Sequence, residues 1–543
     1  MKIGHNGMLS SRLCGALLLI VAAILVTTAA PVSAYEITGV EAYALDHPRV
    51  PAWLKAPDAE EPLSAQSEFF NRRLFAFDCF LDTGASRIVL SKKDREALGV
   101  KATEETVEDW GIGGTETFDV SEPYILYVGD SGANIMDPAS FNFRMEVKLE
   151  LRRKGMSLSG ALPEGMKEQL EEQTGGLGID LNQMMEDMMP GVNVLGTPFL
   201  EKHVVVLDPR PVAQAYNMLL GMLGGLQGGA WGGATGQEPG AGTQDEPGDE
   251  ARDRPFGHAQ DRPFGQAQDR PFGHAQDRPF GHAQDKPFGG TQGQQDPMAA
   301  LDQLLKQMEE MDASGLGLGM GSLGRMKVDI LPAGAPAPQT EFSVPLDLRR
   351  MEKEENLPVT NAPIPFIENA LLKAGEREVK ADLIVDTGGA VSIISTDLAE
   401  RLGFDLEQPE MTTLIMGVGD EGAVELKGFR LDSLTLPTKE GEPIVFMGAP
   451  MFVADIEGVD ATLGANLLAP SVHVNMDALM GGMRGAQGLS AALGMLDQMK
   501  PGVMPFRRIV IDLPGRRLGL DPARPAAEQP TDTPEADTRP KTL

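Results

Sequence analysis

The stretch FLDTGASRIVLS, residues 80–91, places an acidic side chain between two apolar runs that are typical of buried strands. Two apolar residues precede Asp82, and an Asp-Thr-Gly corner leads on to the apolar run Ile88–Leu90. A carboxylate in this setting needs a partner or a function, because burying an isolated charge is costly. The stretch LIVDTGGAVSIIS, residues 383–395, repeats the pattern around Asp386. The chain therefore carries two copies of the same acidic corner.

Further landmarks follow the two corners in the same order. They are the glycine turns WGIGG (Trp110–Gly114) and MGVG (Met416–Gly419), the apolar-Gly segments NVLGTPFL (Asn193–Leu200) and ATLGANLL (Ala461–Leu468), the His-Val pairs at 203 and 473, and the closing segments KVDILP (Lys327–Pro332) and IVIDLP (Ile509–Pro514). Turn chemistry alone would explain one Asp-Thr-Gly, but it does not explain a paired series. The series predicts an internal duplication.

The spacing of these landmarks predicts the domain organisation. Residues 35–335 form a first lobe, residues 336–524 form a second lobe, and residues 525–543 form a disordered tail. The first copy is longer between its corner and its apolar-Gly segment, and we place a helical insertion there at 164–189. Met-rich, helix-like pieces at 217–226 and 301–311 flank a low-complexity block.

The low-complexity block repeats the octapeptide DRPFGHAQ from Asp253 onward. Proline and glycine in every unit disfavour helix and sheet, and one phenylalanine per unit cannot build a core. We predict that 221–295 is disordered. The repeat histidines His258, His274 and His282 either bind a metal or are passengers of a repeat expansion, and the absence of cysteine or acidic ligand spacing favours the second. We expect no metal and no cofactor.

The composition limits the partners. The chain has 543 residues, 42% of them apolar, which is enough for two or three domains. A formal net charge of −32 argues against nucleic acid and against an anionic membrane surface as partners. Of the two cysteines, Cys14 lies in the N-terminal segment, so removal of that segment would leave Cys79 without an intramolecular disulfide partner.

Residues 1–34 are predicted to be a signal peptide. Basic residues precede the apolar run Leu13–Val26, and Val32–Ala34 resembles a small-residue cleavage site. We expect an exported protein, secreted or periplasmic, with an uncleaved N-terminal anchor as the alternative. The segment Pro48–Leu63 that follows is interpreted as an N-terminal linker, with a propeptide as the alternative.

Two Asp-Thr-Gly corners in related halves predict a pair of carboxylates that face each other. Two carboxylates about 3 Å apart cannot both ionise, so they share a proton. One can then act as a base on a water molecule while the other donates a proton to a carbonyl oxygen. The glycines at the third positions, Gly84 and Gly388, allow close backbone approach. The hydroxyls of Thr83 and Thr387 can bond across to the opposite corner.

At this point the chain resembles an aspartic protease of the pepsin and retroviral-protease superfamily. The resemblance rests on the two Asp-Thr-Gly motifs and on the apolar-Gly segments at 194–196 and 462–464, and it covers roughly residues 60–210 and 325–525. It implies a mostly β, bilobal fold that acts as a monomer on a peptide or protein substrate. It also implies that Asp82 and Asp386 are catalytic. The flap residues it implies are Trp110, Gly111, Ile112 and Gly113 in the first copy and Gly417, Val418 and Gly419 in the second.

Both copies have a glycine turn, as in dimeric viral enzymes. Two other departures from the family pattern keep a second function open. Gly389 stands where a hydroxyl or alanine is usual, which is expected to loosen the second corner, and the long insertions are placed where they could cover the cleft. A catalytically inactive protease-fold module that binds peptides or partner proteins is therefore the alternative to an active endopeptidase. Because neither Ala85 nor Gly389 carries a hydroxyl for the dyad, we expect mildly acidic to near-neutral activity.

Overall fold

The computed structural model describes residues 34–67, 72–154, 192–226, 324–351, 356–416, 423–474 and 499–524. The predicted signal peptide apart from Ala34, the predicted helical insertion, the octapeptide block and the tail lie outside these residues. All described residues except 222–226 fall in one compact unit. Strands dominate that unit, so the prediction of a mostly β fold is confirmed. Among the described residues, none of the helices combines the length and apolar character that crossing a bilayer requires.

The N-terminal sheet has nine strands and contains the first Asp-Thr-Gly corner. Its strands, in spatial order, are β11 (Phe143–Val147), β10 (Tyr124–Val128), β3 (Arg49–Lys55), β6 (Phe77–Leu81), β13 (Val194–Leu195), β7 (Ile88–Leu90), β12 (Glu150–Leu151), β9 (Gly114–Ser121) and β8 (Ala102–Gly111).

The C-terminal sheet has eleven strands and contains the second corner. Its strands, in spatial order, are β1 (Tyr35–Thr38), β24 (Ile444–Met447), β23 (Ser433–Leu436), β18 (Ile364–Ala374), β19 (Arg377–Asp386), β26 (Ala461–Gly464), β20 (Ile393–Ile394), β25 (Pro450–Val453), β22 (Ala423–Arg430) and β21 (Met411–Met416), with β17 (Asp347–Arg349) paired to β18. From β24 to β21 the order matches the N-terminal sheet strand for strand. Each corner thus follows a central strand of its sheet.

A five-stranded sheet combines segments from both parts of the chain. Its order is β15 (Lys327–Leu331), β14 (Val204–Asp208), β29 (Phe506–Asp512), β30 (Arg517–Pro522) and β16 (Phe342–Pro345). Two smaller sheets are formed by β2 (Tyr43–Ala44), β27 (Ser471–Val474) and β28 (Met499–Pro501), and by β4 (Ala65–Ser67) and β5 (Arg72–Leu74). The two closing segments therefore share one sheet, whereas the valines of the two His-Val pairs, Val204 and Val474, lie in different sheets.

The described helices are α1 (Lys92–Leu98), α2 (Thr197–Leu200), α3 (Arg210–Leu226), α4 (Thr396–Leu402) and α5 (Ala465–Leu468), and a 3-10 turn spans Pro138–Ser140. The serine that ends each quoted motif begins a helix. Ser91 caps α1 by accepting from Asp94 N, and Ser395 caps α4 by accepting from Leu398 N. Gly99 and Gly403 end these helices with positive φ angles of 67° and 88°, which glycine adopts without steric cost. The similarity between the two copies therefore includes the helix that follows each quoted motif, α1 in the first copy and α4 in the second.

Three boundaries predicted from sequence are wrong. Strand β1 pairs in parallel with β24 of the C-terminal sheet, so the first lobe does not begin at residue 35. Residues 49–55, predicted to lie in a linker or a propeptide, form β3 between β10 and β6, where Ala52 and Leu54 are fully buried. Helix α3 runs to Leu226, so the disordered segment does not begin at 221. In the first two cases strand pairing with distant segments decides the structure, and in the third the helix continues into glycine-rich sequence.

Candidate active site

Each acidic corner lies at the end of one strand and is backed by another. Strand β13 pairs in parallel with β6 and antiparallel with β7. Strand β26 likewise pairs in parallel with β19 and antiparallel with β20. The residue after each apolar pair must be glycine, because the neighbouring backbone lies too close to leave room for a side chain. A Cβ on Gly196 would lie 2.1 Å from the Arg87 carbonyl oxygen, and one on Gly464 would lie 2.3 Å from that of Val391. The apolar-Gly landmark therefore supports the loop that carries the aspartate.

The two threonines hold the two corners together. Thr83 N donates to Thr387 Oγ1 at 3.2 Å, and Thr387 N donates to Thr83 Oγ1 at 3.1 Å. Each hydroxyl also donates to a backbone carbonyl of the opposite strand, Thr83 to Val385 at 2.5 Å and Thr387 to Leu81 at 2.6 Å. Both threonines are buried, at 0% and 2% exposure. These reciprocal bonds satisfy buried donors and acceptors and hold the loops in register.

Asp82 and Asp386 meet above the threonines. Their side chains are within hydrogen-bonding distance of each other, and both residues remain partly exposed. A Cβ on Gly388 would lie 2.4 Å from the Asp82 carboxylate, and one on Gly84 would lie 2.9 Å from the Asp386 carboxylate. Glycine at the third motif position thus allows each carboxylate to lie against the backbone of the opposite loop.

Backbone donors bind the two carboxylates unequally. Asp82 accepts a hydrogen bond from Gly84 N at 2.8 Å. Asp386 accepts from Gly388 N at 3.1 Å and from Gly389 N at 2.8 Å, both on Oδ1. Because N–H donors favour the ionised form of a carboxylate, this arrangement favours the negative charge on Asp386 and the proton on Asp82.

The pKa values of both aspartates are raised, and the opposing hydrogen bonds differ between them. Burial, and then the negative charge of Asp386, raise the pKa of Asp82 from 3.8 to about 8, and the Gly84 N–H opposes them only in part. Burial also raises the pKa of Asp386, against the opposing bonds from Gly389, Asp82 and Gly388. Because two carboxylates this close share a proton, the pair can hold one proton and one charge, which is the state that acid–base catalysis on a bound water requires.

The first predicted flap is a β-hairpin. Strands β8 and β9 pair up to Gly111 and Gly114, so Ile112 and Gly113 form its tip. Ile112 packs against an apolar cluster formed by Ala42, Val391, Ile393, Leu426 and Phe452, most of which belong to the C-terminal sheet. Trp110 pairs with Thr115 in the hairpin. The flap tip therefore reaches the side of the site that carries Asp386.

The second predicted flap is described only in part. Strands β21 and β22 pair from Met411–Gly428 to Met416–Ala423, in the same sheet position as the first hairpin. Gly417, Val418 and Gly419 lie outside the described residues. Ile415 and Val424, near the end of the described strands, pack against the same apolar cluster as Ile112.

His47 lies beside the dyad and was not predicted from the sequence. Its Nδ1 is 3.3 Å from the Thr387 carbonyl oxygen, so Nδ1 carries the proton in that contact. Its ring packs edge-on against Phe80, with centroids 5.8 Å apart. Burial lowers the pKa of His47, while the Thr387 carbonyl and the charges of Asp46 and Asp82 oppose that effect. No spacing rule indicates this residue, because it reaches the dyad from a segment about 35 residues before Asp82.

Short arms that precede each sheet cross to the opposite corner. Ala44 N donates to the Ala390 carbonyl at 2.9 Å, and Ala362 N donates to the Ser86 carbonyl at 2.9 Å. Ser86 and Ala390 are each the fourth residue after their aspartate. The two contacts are therefore equivalent, and both corners are supported from both parts of the chain.

This geometry can be set beside known proteins. Residues 373–467 match the model of a family described as aspartyl protease. The match includes Asp386 and excludes Asp82, and it supports a general relationship to aspartic proteases. A search of curated proteins gave no match. Among solved structures, a retropepsin-like aspartic protease from Rickettsia conorii is 21% identical, with 19% of this chain and 79% of that chain covered and a TM-score of 0.14. That score is too low to support a structural argument.

Proposed function

We propose that the protein is an aspartic endopeptidase that hydrolyses peptide bonds with a water molecule activated between Asp82 and Asp386. The observation that carries the proposal is the pair itself. Two partly exposed carboxylates lie within hydrogen-bonding distance on loops locked by reciprocal threonine bonds. A merely structural pair of carboxylates would bring like charges together without benefit, since two nearby carboxylates destabilise each other when both are ionised.

The unequal hydrogen bonding supports a division of roles. Asp386, as the ionised partner, takes a proton from water while the water oxygen bonds to the peptide carbonyl carbon. Asp82 gives its proton to the carbonyl oxygen, which produces a neutral tetrahedral diol. In the second step Asp386 gives the proton it took from water to the leaving nitrogen, the C–N bond breaks, and one hydroxyl of the diol gives its proton to Asp82. The dyad again holds one proton, on Asp82, as it did before the reaction.

The proposed substrate is a peptide or protein in extended form. We propose that the site works within one chain, because both aspartates come from the same polypeptide and the arms from both parts of the chain support it. We also propose that residues 1–34 direct export, so that the protein acts as a secreted or periplasmic enzyme. Mass measurement of the protein recovered from its native host would detect loss of this segment. An intact N terminus would instead indicate the uncleaved anchor, and recovery of the protein from the cytoplasm would contradict export.

The deciding experiment uses single substitutions with a matched control. Wild type, Asp82→Asn and Asp386→Asn are incubated with a peptide library, with and without pepstatin. We expect both variants to lose cleavage by at least about a hundredfold, as general acid–base groups contribute about that much or more. Asp78→Asn changes an aspartate on the same strand that pairs with Arg325 at 2.9 Å, and it should retain cleavage. Peptide binding without cleavage in wild type would instead support the inactive binding module.

A further inference from the structure

Arg87 is a buried cation directly behind the first acidic corner. It is the fifth residue after Asp82 and is 1% exposed. Its Nη1 donates to Glu150 Oε1 at 2.5 Å and to the Glu108 carbonyl at 3.2 Å, and it lies 3.6 Å from Asp109 Oδ1. Glu108 and Asp109 belong to β8 of the flap hairpin. A single guanidinium therefore connects the corner that carries Asp82 to strand β8 of the flap, three to four residues before Ile112 at the tip.

Fold stability alone does not account for this ion pair. Removing two charges from water is expensive, and an apolar pair of similar size is often at least as stable in the same place. Glu150 has 0% exposure, so its charge is fully removed from solvent. A buried ion pair in this position is better explained by the geometry that its hydrogen bonds impose, since a guanidinium has donors in fixed directions.

The C-terminal sheet provides the apolar version of the same position. Glu150 pairs with the seventh residue after Asp82, and Phe452 pairs with the seventh residue after Asp386. By the same register, Val391 occupies the position of Arg87. Val391 and Phe452 are 2% and 0% exposed, so the fold accepts an apolar pair here. The charged pair is therefore specific to the sheet that carries the first flap.

The two pairs contact the same flap hairpin at different points. The charged pair contacts β8 through Glu108 and Asp109, four and three residues before Ile112. The apolar pair belongs to the cluster against which Ile112 packs at the tip. An apolar tip contact can be exchanged for a substrate side chain, because such contacts are not directional. The charged hydrogen bonds to β8 depend on geometry and are lost when that geometry changes.

We propose that Arg87 is a positioning residue that anchors strand β8 of the first flap to the corner of Asp82, so that a peptide enters when the Ile112 turn moves while the anchored part of the hairpin stays fixed. This inference rests on the proposed function only for its effect on peptide cleavage. The anchoring itself is a property of the folded chain. It predicts that the flap becomes loose when Arg87 is replaced, even where the replacement leaves no buried charge unpaired.

The test copies the apolar pair into the N-terminal sheet. The double variant Arg87→Val/Glu150→Phe reproduces Val391 and Phe452, and it avoids the unpaired Glu150 that a single substitution would leave. The matched control is Arg517→Met/Asp512→Asn. It removes an ion pair of the five-stranded sheet, with a 2.9 Å contact between Arg517 Nε and Asp512 Oδ2, and neither residue belongs to the flap hairpin.

Two measurements decide the outcome. In hydrogen exchange of the intact protein, we expect the amides of 102–121 in the Arg87 variant to exchange about tenfold faster or more, the effect of losing one charged hydrogen bond. The control should show a smaller change there. On a cleaved peptide, KM should rise more than kcat falls. Wild-type exchange and wild-type KM in a folded Arg87 variant, or equal changes in the control, would overturn the proposal. Faster exchange in a protein without cleavage would leave the anchoring intact and reject the proposed function.

Discussion

Replacing Asp82 with asparagine should remove most of the pH dependence of stability near neutral pH. The pKa of Asp82 is about 8 in the folded protein, raised by burial and by Asp386 from an ordinary value of 3.8. Between these values the folded protein holds a proton that the unfolded chain has lost. Its stabilising contribution is complete below pH 3.8 and is lost as the pH rises through about 8.

The expected magnitude follows from one proton. Each pH unit within this window lowers the free energy of unfolding by about 1.4 kcal/mol, so the change from about pH 5.5 to about 7.5 is about 2.7 kcal/mol. His47 and His203 act in the opposite direction, because burial lowers the pKa of each in the folded protein. The His203 contribution cancels in the difference between wild type and variant. The His47 contribution does not cancel completely, because Asp82→Asn removes a charge that opposes the lowering of the His47 pKa. Asp386, whose pKa is also raised, retains part of the effect in Asp82→Asn.

Urea denaturation at several pH values in this range measures the difference. A suitable control is Asp119→Asn, because burial alone would raise the pKa of Asp119 but hydrogen bonds from Arg153 and Arg95 lower it. Asp119 is then ionised in both states above about pH 5.5, and the control should lose a constant amount of stability. A difference between wild type and Asp82→Asn that stays constant across the range would refute the raised pKa.

Three further substitutions test the site. Thr387→Val leaves a buried backbone carbonyl of the opposite loop without its donor, so unfolding in urea should show a loss of about 1–3 kcal/mol, and an equal loss in Thr387→Ser would argue against the hydroxyl. His47→Gln removes a positive charge near the dyad at low pH, so the acid limb of the pH–rate profile should move to higher pH. The control His203→Gln should leave the acid limb in place. A shift of the limb in both variants would contradict a specific effect of His47 on the dyad. Gly389→Ala brings a methyl group to 2.4 Å from Asp386 Oδ2, so we expect kcat to fall at least about tenfold in a folded protein, and wild-type kcat would contradict this.

The sequence was most informative where local chemistry repeats. The two acidic corners, the apolar-Gly segments and the first glycine turn each specify a backbone contact that only certain residues allow, so their pairing could be recognised without a structure. The serines at the motif ends proved to be helix caps for the same reason. A signal for Arg87 was also present, since a charged residue opens the apolar run in the first copy where Val391 stands in the second.

Features that depend on distant contacts were not predictable. Residues 49–55 lie in the segment interpreted as a linker, and a proline within such a segment is unusual for a central strand. In the structure Pro51 lies opposite Asp78, and its carbonyl accepts from Gly129 N at 2.9 Å, so the missing N–H is tolerated between two neighbouring strands. His47 reaches the dyad only because this segment enters the sheet beside β6. Neither fact is encoded in the local pattern.

Gly389 shows how a departure from a family pattern can be misjudged when only side chains are considered. The missing hydroxyl or methyl was expected to loosen the second corner. In the structure the Gly389 N–H donates to Asp386 at 2.8 Å, and a Cβ at this position would lie 2.4 Å from the same carboxylate. The backbone therefore supplies a donor at a distance that a side chain would prevent. Because this donor also favours the ionised form, Gly389 contributes to the charge asymmetry that makes Asp386 the proposed base.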